Sequence, residues 1–146
     1  MGHNNSIYLS NDKNEFFSLD SKTGIINWQH KINSTLTPTI VDNLIFTVSM
    51  EGFLIVIDSI QGNIIRKTNI FKQFKNKKRL KTKPIGFIMG SKNIYLTTNH
   101  GRLVVIDVSL GKTIAMLKID NDKISRPFVL NQNLYIIKEN SIIRLN

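Results

Sequence analysis

The sequence predicts an all-β chain, a partial β-propeller of about three and a half four-stranded antiparallel blades. Three observations predict it. A strand core recurs four times, as Ile7-Tyr8-Leu9, Ile45-Phe46-Thr47, Ile94-Tyr95-Leu96 and Leu134-Tyr135-Ile136. Each of the first three copies is followed by a second apolar strand that ends in Asp, with Gly four residues on: Asp20 and Gly24, Asp58 and Gly62, Asp107 and Gly111. The three prolines, Pro38, Pro84 and Pro127, each precede a short apolar run that leads into the next strand core. Proline is tolerated there because the first residue of a strand need not donate to the ladder.

The period is 38 residues from Asp20 to Asp58 and 49 from Asp58 to Asp107. A period near 40 with four short strands per unit marks a propeller blade. The second unit shows the logic. Thr37 to Val41 is the innermost strand, and Asp42-Asn43 turns the chain because Asp and Asn tolerate left-handed backbone. Leu44 to Ser49 returns, and Glu51-Gly52 turns again, with Gly free to take a positive φ. Phe53 to Asp58 is the third strand. After the turn closed by Gly62, Asn63 to Thr68 is the outer one. The blades therefore fall at 6–33 (strands two to four), 37–70, 84–120 and 125–146 (strands one to three), with an inter-blade insertion at 71–83. Several strands are continuous apolar runs rich in β-branched residues, which suits sheets covered on both faces. Asn146 falls where the other units carry Asp.

Composition narrows the chemistry. The chain has 146 residues, 41% of them hydrophobic, enough for a folded core. It has no cysteine, which excludes disulfides, thiol nucleophiles and zinc–thiolate sites. No apolar run reaches the ~18 residues of a membrane helix. The net charge is +10, and its excess is local. No acidic residue lies between Asp58 and Asp107, whereas eleven basic ones do.

The stretch Leu19-Asp20-Ser21-Lys22-Thr23-Gly24-Ile25-Ile26-Asn27-Trp28 resembles the repeat of pyrroloquinoline-quinone (PQQ)-type propellers. In that repeat Asp is followed by Gly four residues on and by Trp four further, the tryptophan-docking motif. The resemblance implies that Trp28 locks neighbouring blades by stacking on an adjoining peptide. The later units carry Arg66 and Ala115 at the Trp position, so docking there is degenerate. Within this family the chain is most similar to the C-terminal part of the outer-membrane protein assembly factor, the propeller lipoprotein of the β-barrel assembly machine. That resemblance implies a non-enzymatic protein–protein interaction scaffold on the periplasmic side of the outer membrane, with the assembly machinery as partner and no cofactor. It also implies that Met1 is not the natural start, that a signal and lipid-anchor Cys lie upstream, and that self-association is one way to complete a ring.

Other chemistry is weaker. An enzyme of the PQQ-dependent dehydrogenase type is the alternative, and it needs carboxylates that converge on calcium. Asp20, Asp58 and Asp107 occupy one repeat position on different blades, so each is expected to cap a turn instead. His3, His30 and His100 are scattered without metal-ligand spacing. Asp120 and Asp122 lack the rest of a calcium loop and are expected in a solvated hairpin turn. No phosphate-binding glycine motif and no nucleophile elbow is present.

The sharpest feature is the insertion. Lys72, Lys75, Lys77, Lys78, Arg79, Lys81 and Lys83 interleave with Phe71, Phe74 and Leu80. These seven cations are the candidate partner-binding residues, for an acidic protein surface or an anionic lipid face. A nucleic-acid surface ranks last, because the charge sits in one loop rather than over several elements. A loop of this composition is expected to bury little.

Overall fold

The computed structural model describes residues 2–145, which form two compact units that divide between Asn69 and Ile70. The expectation for Asn146 lies outside the described residues.

The first unit holds two four-stranded antiparallel sheets. β1 (Gly2–His3), β2 (Ser6–Ser10), β3 (Phe16–Asp20) and β4 (Ile26–His30) pair in that order. β5 (Thr39–Val41), β6 (Leu44–Val48), β7 (Phe53–Asp58) and β8 (Ile64–Asn69) form the second sheet in the same up-and-down order. β1 adds a short innermost strand to the first sheet, where the sequence reading begins at residue 6. Its two residues pair with Ile7 and Ser6 and are too few to show an apolar pattern. Local chemistry sets the turns. Asp42 takes φ 53° between β5 and β6, and Gly52 takes φ 89° between β6 and β7.

The core between these sheets is built from Tyr8, Phe16, Ile32, Ile45, Ile55 and Ile57, with Trp28, Ile40 and Phe53 packed against it. In β7 the run Leu54-Ile55-Val56-Ile57 is buried on both faces, as its unbroken apolar sequence requires. Each fully buried aliphatic side chain of this kind contributes about 1.5–3 kcal/mol. Ser34, buried in the connection from β4 to β5, donates its hydroxyl to the Val48 carbonyl at 2.7 Å. That bond satisfies a polar group that would be costly to bury alone.

The second unit opens with a helix, α1 (Asn76–Lys81). β9 (Pro84–Met89), β10 (Asn93–Thr98), β11 (Arg102–Asp107) and β12 (Thr113–Lys118) follow as a four-stranded sheet. β13 (Phe128–Leu130), β14 (Asn133–Lys138) and β15 (Ser141–Leu145) make a three-stranded one. Leu103, Val105, Ile124 and Ile136 form its core, with Tyr95, Ile119, Leu134 and Leu145 packed on them.

The innermost-to-outermost order has a consequence for exposure. The third strands β7 and β11 are almost wholly buried, whereas the fourth strands β4, β8 and β12 are largely exposed edges.

Candidate functional site

The repeat turns come out alike in three places. The Asp20 carboxylate accepts the backbone N–H groups of Lys22 and Thr23, both at 2.8 Å. Asp58 accepts those of Ile60 and Gln61 at 2.8 and 3.0 Å. Asp107 accepts the Leu110 N–H at 2.8 Å and the Ser109 hydroxyl at 2.7 Å. In each turn the glycine N–H returns to the Asp carbonyl at 2.8 Å. Gly24, Gly62 and Gly111 take φ of 71°, 78° and 67°. The N–H donors from Thr23 and Lys22 hold the Asp20 carboxyl below its ordinary value. Each Asp is thus occupied by its own turn, and among the described residues no group of three His, Cys, Asp or Glu could hold a metal ion.

Trp28 sits opposite Ser18 in the β3–β4 ladder, as Arg66 sits opposite Val56 and Ala115 opposite Val105. A bulge follows at the same place in all three sheets. The indole lies on the Gly62 turn of the second sheet. A Cβ added to Gly62 would come within 2.6 Å of Cδ2 and 2.7 Å of Cδ1 of Trp28. The indole N–H donates to the Ser59 carbonyl at 3.4 Å, and Phe16 stacks on the ring with centroids 5.9 Å apart. His30 Nε2 is hydrogen-bonded to the Gly62 carbonyl. These contacts hold the first two sheets together.

The basic insertion departs from the expected loop. Phe71 and Phe74 are buried, with ring centroids 5.6 Å apart and edge to face. They anchor the segment, so it buries more than its composition suggested. α1 has no buried residue, and Leu80 is 78% exposed. No acidic residue or side-chain cap supports the first turn of α1, but Lys78, Arg79 and Lys81 complement its C-terminal dipole. Thr82 closes the helix by donating its hydroxyl to the Lys78 carbonyl at 2.7 Å.

Arg79 differs from its six basic neighbours. Its Nη2 donates to the carbonyls of Lys72 and Phe74 at 2.8 and 3.1 Å, so it ties the helix to the turn before it. Both of those bonds lie within the segment itself.

Topology brings the remaining cations toward others. In an up-and-down sheet, the start of the first strand, the turn between the second and third, and the end of the fourth share one end. The insertion precedes β9, His100 lies in the β10–β11 turn, and Asn121 follows β12. Asn99 fixes the first two together: its side chain donates to the Lys81 carbonyl at 3.0 Å and accepts the Lys83 N–H at 2.8 Å. Gly101 fixes the third. It takes φ 67°, its carbonyl accepts the N–H of Ile119 at 2.8 Å, and an added Cβ would strike the Asp120 backbone. The result is an open cleft of about 370 Å³ lined by Lys77, Lys78, Lys81, His100, Arg102 and Asn121.

Arg102 is held by its Nη1, which donates to the carbonyls of His100 and Asp120 at 2.8 and 3.0 Å. Asp120 is not in a hairpin turn. It lies in the connection from β12 to β13, where its carboxylate meets Lys138 Nζ at 2.9 Å and accepts the N–H of Asn121 and Asp122. The Lys138 bond, then those N–H donors, hold the Asp120 carboxyl below its ordinary value, and Asp120 raises Lys138 in return. Of the seven predicted cations, Lys77, Lys78 and Lys81 line the cleft, whereas Lys72, Lys75 and Lys83 stand outside it. His100, Arg102 and Asn121 line the same cleft and were not among the sequence candidates. The one signal for them is topological, the shared end of an up-and-down sheet.

Comparison with known proteins agrees with this architecture. A family model described as outer membrane protein assembly factor BamB matches residues 1–68. The crystal structure of BamB from Moraxella catarrhalis superposes with a TM-score of 0.76 at 13% identity, over 99% of this chain and 40% of that one. The chain has a β-propeller fold. Sqt1 from Saccharomyces cerevisiae is similar at TM-score 0.81 and 13% identity, over 99% of this chain and 43% of that one. The computationally designed protein Ika4 is similar at 0.76 and 10%, over 99% and 86%. The chain therefore spans about 40% of the length of the BamB structure it resembles. No curated protein sequence matches it.

Proposed function

We propose that the chain is a protein-interaction module of a PQQ-like propeller that serves outer-membrane β-barrel assembly on the periplasmic side of the outer membrane. The match of residues 1–68 to the BamB family model supports the cellular setting. The observation that carries the mode of binding is structural. β4, β8 and β12 each end their sheet, and among the described residues no strand pairs with their outer sides. They expose Ile26, Ile64, Ile65, Ile114 and Leu117 along those edges. An extended segment can add to such an edge through main-chain hydrogen bonds, while its alternate side chains rest on the apolar positions.

The test is hydrogen exchange of this chain with and without a peptide copied from one strand of an outer-membrane β-barrel protein. Amides of β4, β8 or β12 gain protection if an edge is augmented. Unchanged exchange on all three strands at saturating peptide refutes the edge mode.

A further inference from the structure

We infer that the cleft formed by α1, the β10–β11 turn and the segment after β12 is a docking site for an acidic polypeptide segment; this rests on reading the chain as a protein-interaction module. Three chain segments far apart in sequence converge there. They place Lys77, Lys78 and Lys81 beside His100, Arg102 and Asn121 around one open cleft. The frame is fixed rather than incidental. Asn99 clamps the end of α1, Gly101 lets the turn close on the following connection, and two carbonyls hold the Arg102 guanidinium.

The neighbouring acids do not neutralise it. Asp120 is turned to Lys138 and to backbone N–H groups, and neither Asp120 nor Asp122 lines the cleft. The three lysines stand on a helix with no buried residue, and the Lys78 ammonium lies 5.4 Å from the centre of the Phe74 ring.

The same geometry selects among anionic partners. Phe71 and Phe74 are buried, so no aromatic face is offered for base stacking. For the same reason α1 has no apolar face to insert into a membrane, with Leu80 its only large exposed apolar residue. Arg102 has its Nη1 committed to carbonyls, which weakens the forked recognition that phosphate favours. Lysine ammonium groups on flexible stems instead suit several carboxylates presented by an irregular chain.

The probe is a dye-labelled peptide of alternating Glu and Ser, followed by fluorescence anisotropy, with a Gln–Ser peptide as the neutral control. The variant Lys77→Ser/Lys78→Ser/Lys81→Ser tests the cleft. Lys13→Ser/Lys22→Ser/Lys31→Ser removes the same charge from exposed positions elsewhere. An exposed charge pair is worth up to about fivefold in affinity, so the cleft variant is expected to lose on the order of tenfold. The control variant is expected to lose less than about twofold. Binding should vanish at high salt, where the screening length falls to ~3 Å.

Equal losses in the two variants, or equal binding of the Gln–Ser peptide, overturn the proposal. So does displacement of the peptide by phosphatidylglycerol vesicles or a DNA duplex at a lower concentration of negative charge than free Glu–Ser peptide requires. The strand peptide is assayed on the same cleft variant. Edge protection is expected to persist there; in the unaltered chain, edge protection without acidic-peptide binding sinks the cleft alone. Loss of edge protection in the unaltered chain sinks the parent reading separately.

Discussion

Gly24 and Gly62 close equivalent turns in successive repeats with φ of 71° and 78°, yet only Gly62 lies under Trp28. Replacing each with Ala separates backbone strain from blade docking. A side chain in left-handed backbone costs about 1–2 kcal/mol. Part of that is offset, by about 0.4–1 kcal/mol, because Ala restricts the unfolded chain. Gly24→Ala meets no atom within 4 Å, so these are its only terms, and a net loss of about 1 kcal/mol is expected. Gly62→Ala bears the same terms and also drives a methyl into Cγ of the indole, so that ring or sheet must shift. Overpacking of this kind adds about 1–3 kcal/mol.

Urea unfolding followed by circular dichroism reads the difference. With a slope of about 2 kcal/mol per molar, an extra ~2 kcal/mol lowers the midpoint by about 1 M relative to Gly24→Ala. In a Trp28→Ala background the extra loss should disappear, since the two residues then no longer touch. Equal midpoints for Gly24→Ala and Gly62→Ala in the unaltered background would refute the claim that Trp28 docks on the Gly62 turn.

Three further outcomes are expected. Arg79→Ala should lower stability by about 1–3 kcal/mol, because two charged hydrogen bonds to carbonyls are lost, whereas Lys77→Ala stays within about 0.5 kcal/mol; paired thermal melts compare them. Phe71→Ala should cost about 3–5 kcal/mol and Leu80→Ala less than about 0.5, read from the same melts, since one ring is fully buried and the other side chain is exposed. The Asp120 carboxyl should titrate below 3.8 by NMR and move back up toward it in Lys138→Ala. Because its folded pKa is depressed, its contribution to stability is present above the unfolded value and is lost as pH falls through the folded one. Lys138 is raised above 10.5, so its contribution is present below that value and is lost as pH rises through the folded one.

Much of the fold was legible because it is written locally and repeatedly. The step from Asp20 to Gly24 encodes a turn whose carboxylate and glycine both act within five residues, and the same step recurs at Asp58 and Asp107. Continuous apolar runs such as Leu54 to Ile57 report burial on two faces without reference to any partner. The site was less legible. Composition marked the lysines of the insertion but could not say that Phe71 and Phe74 turn inward or that Arg79 reaches back to carbonyls. Those outcomes depend on tertiary space beside the sheet. His100, Arg102 and Asn121 carry no motif, and they join Lys77, Lys78 and Lys81 only because an up-and-down sheet gathers those positions at one end.

The central claim is that the chain binds other proteins through its exposed edges in the setting of outer-membrane β-barrel assembly. The most direct measurement places a photo-crosslinking amino acid at Ile65 or Ile114, both exposed on edge strands, with a matched control at buried Leu54. Crosslinking in cells that make the protein, followed by mass spectrometry of the adducts, identifies what lies against each position. The expected result is adducts with β-barrel assembly components or their substrates from the edge positions and none from Leu54. Edge positions that yield no adducts above the Leu54 control, or only adducts outside that machinery, would contradict the account.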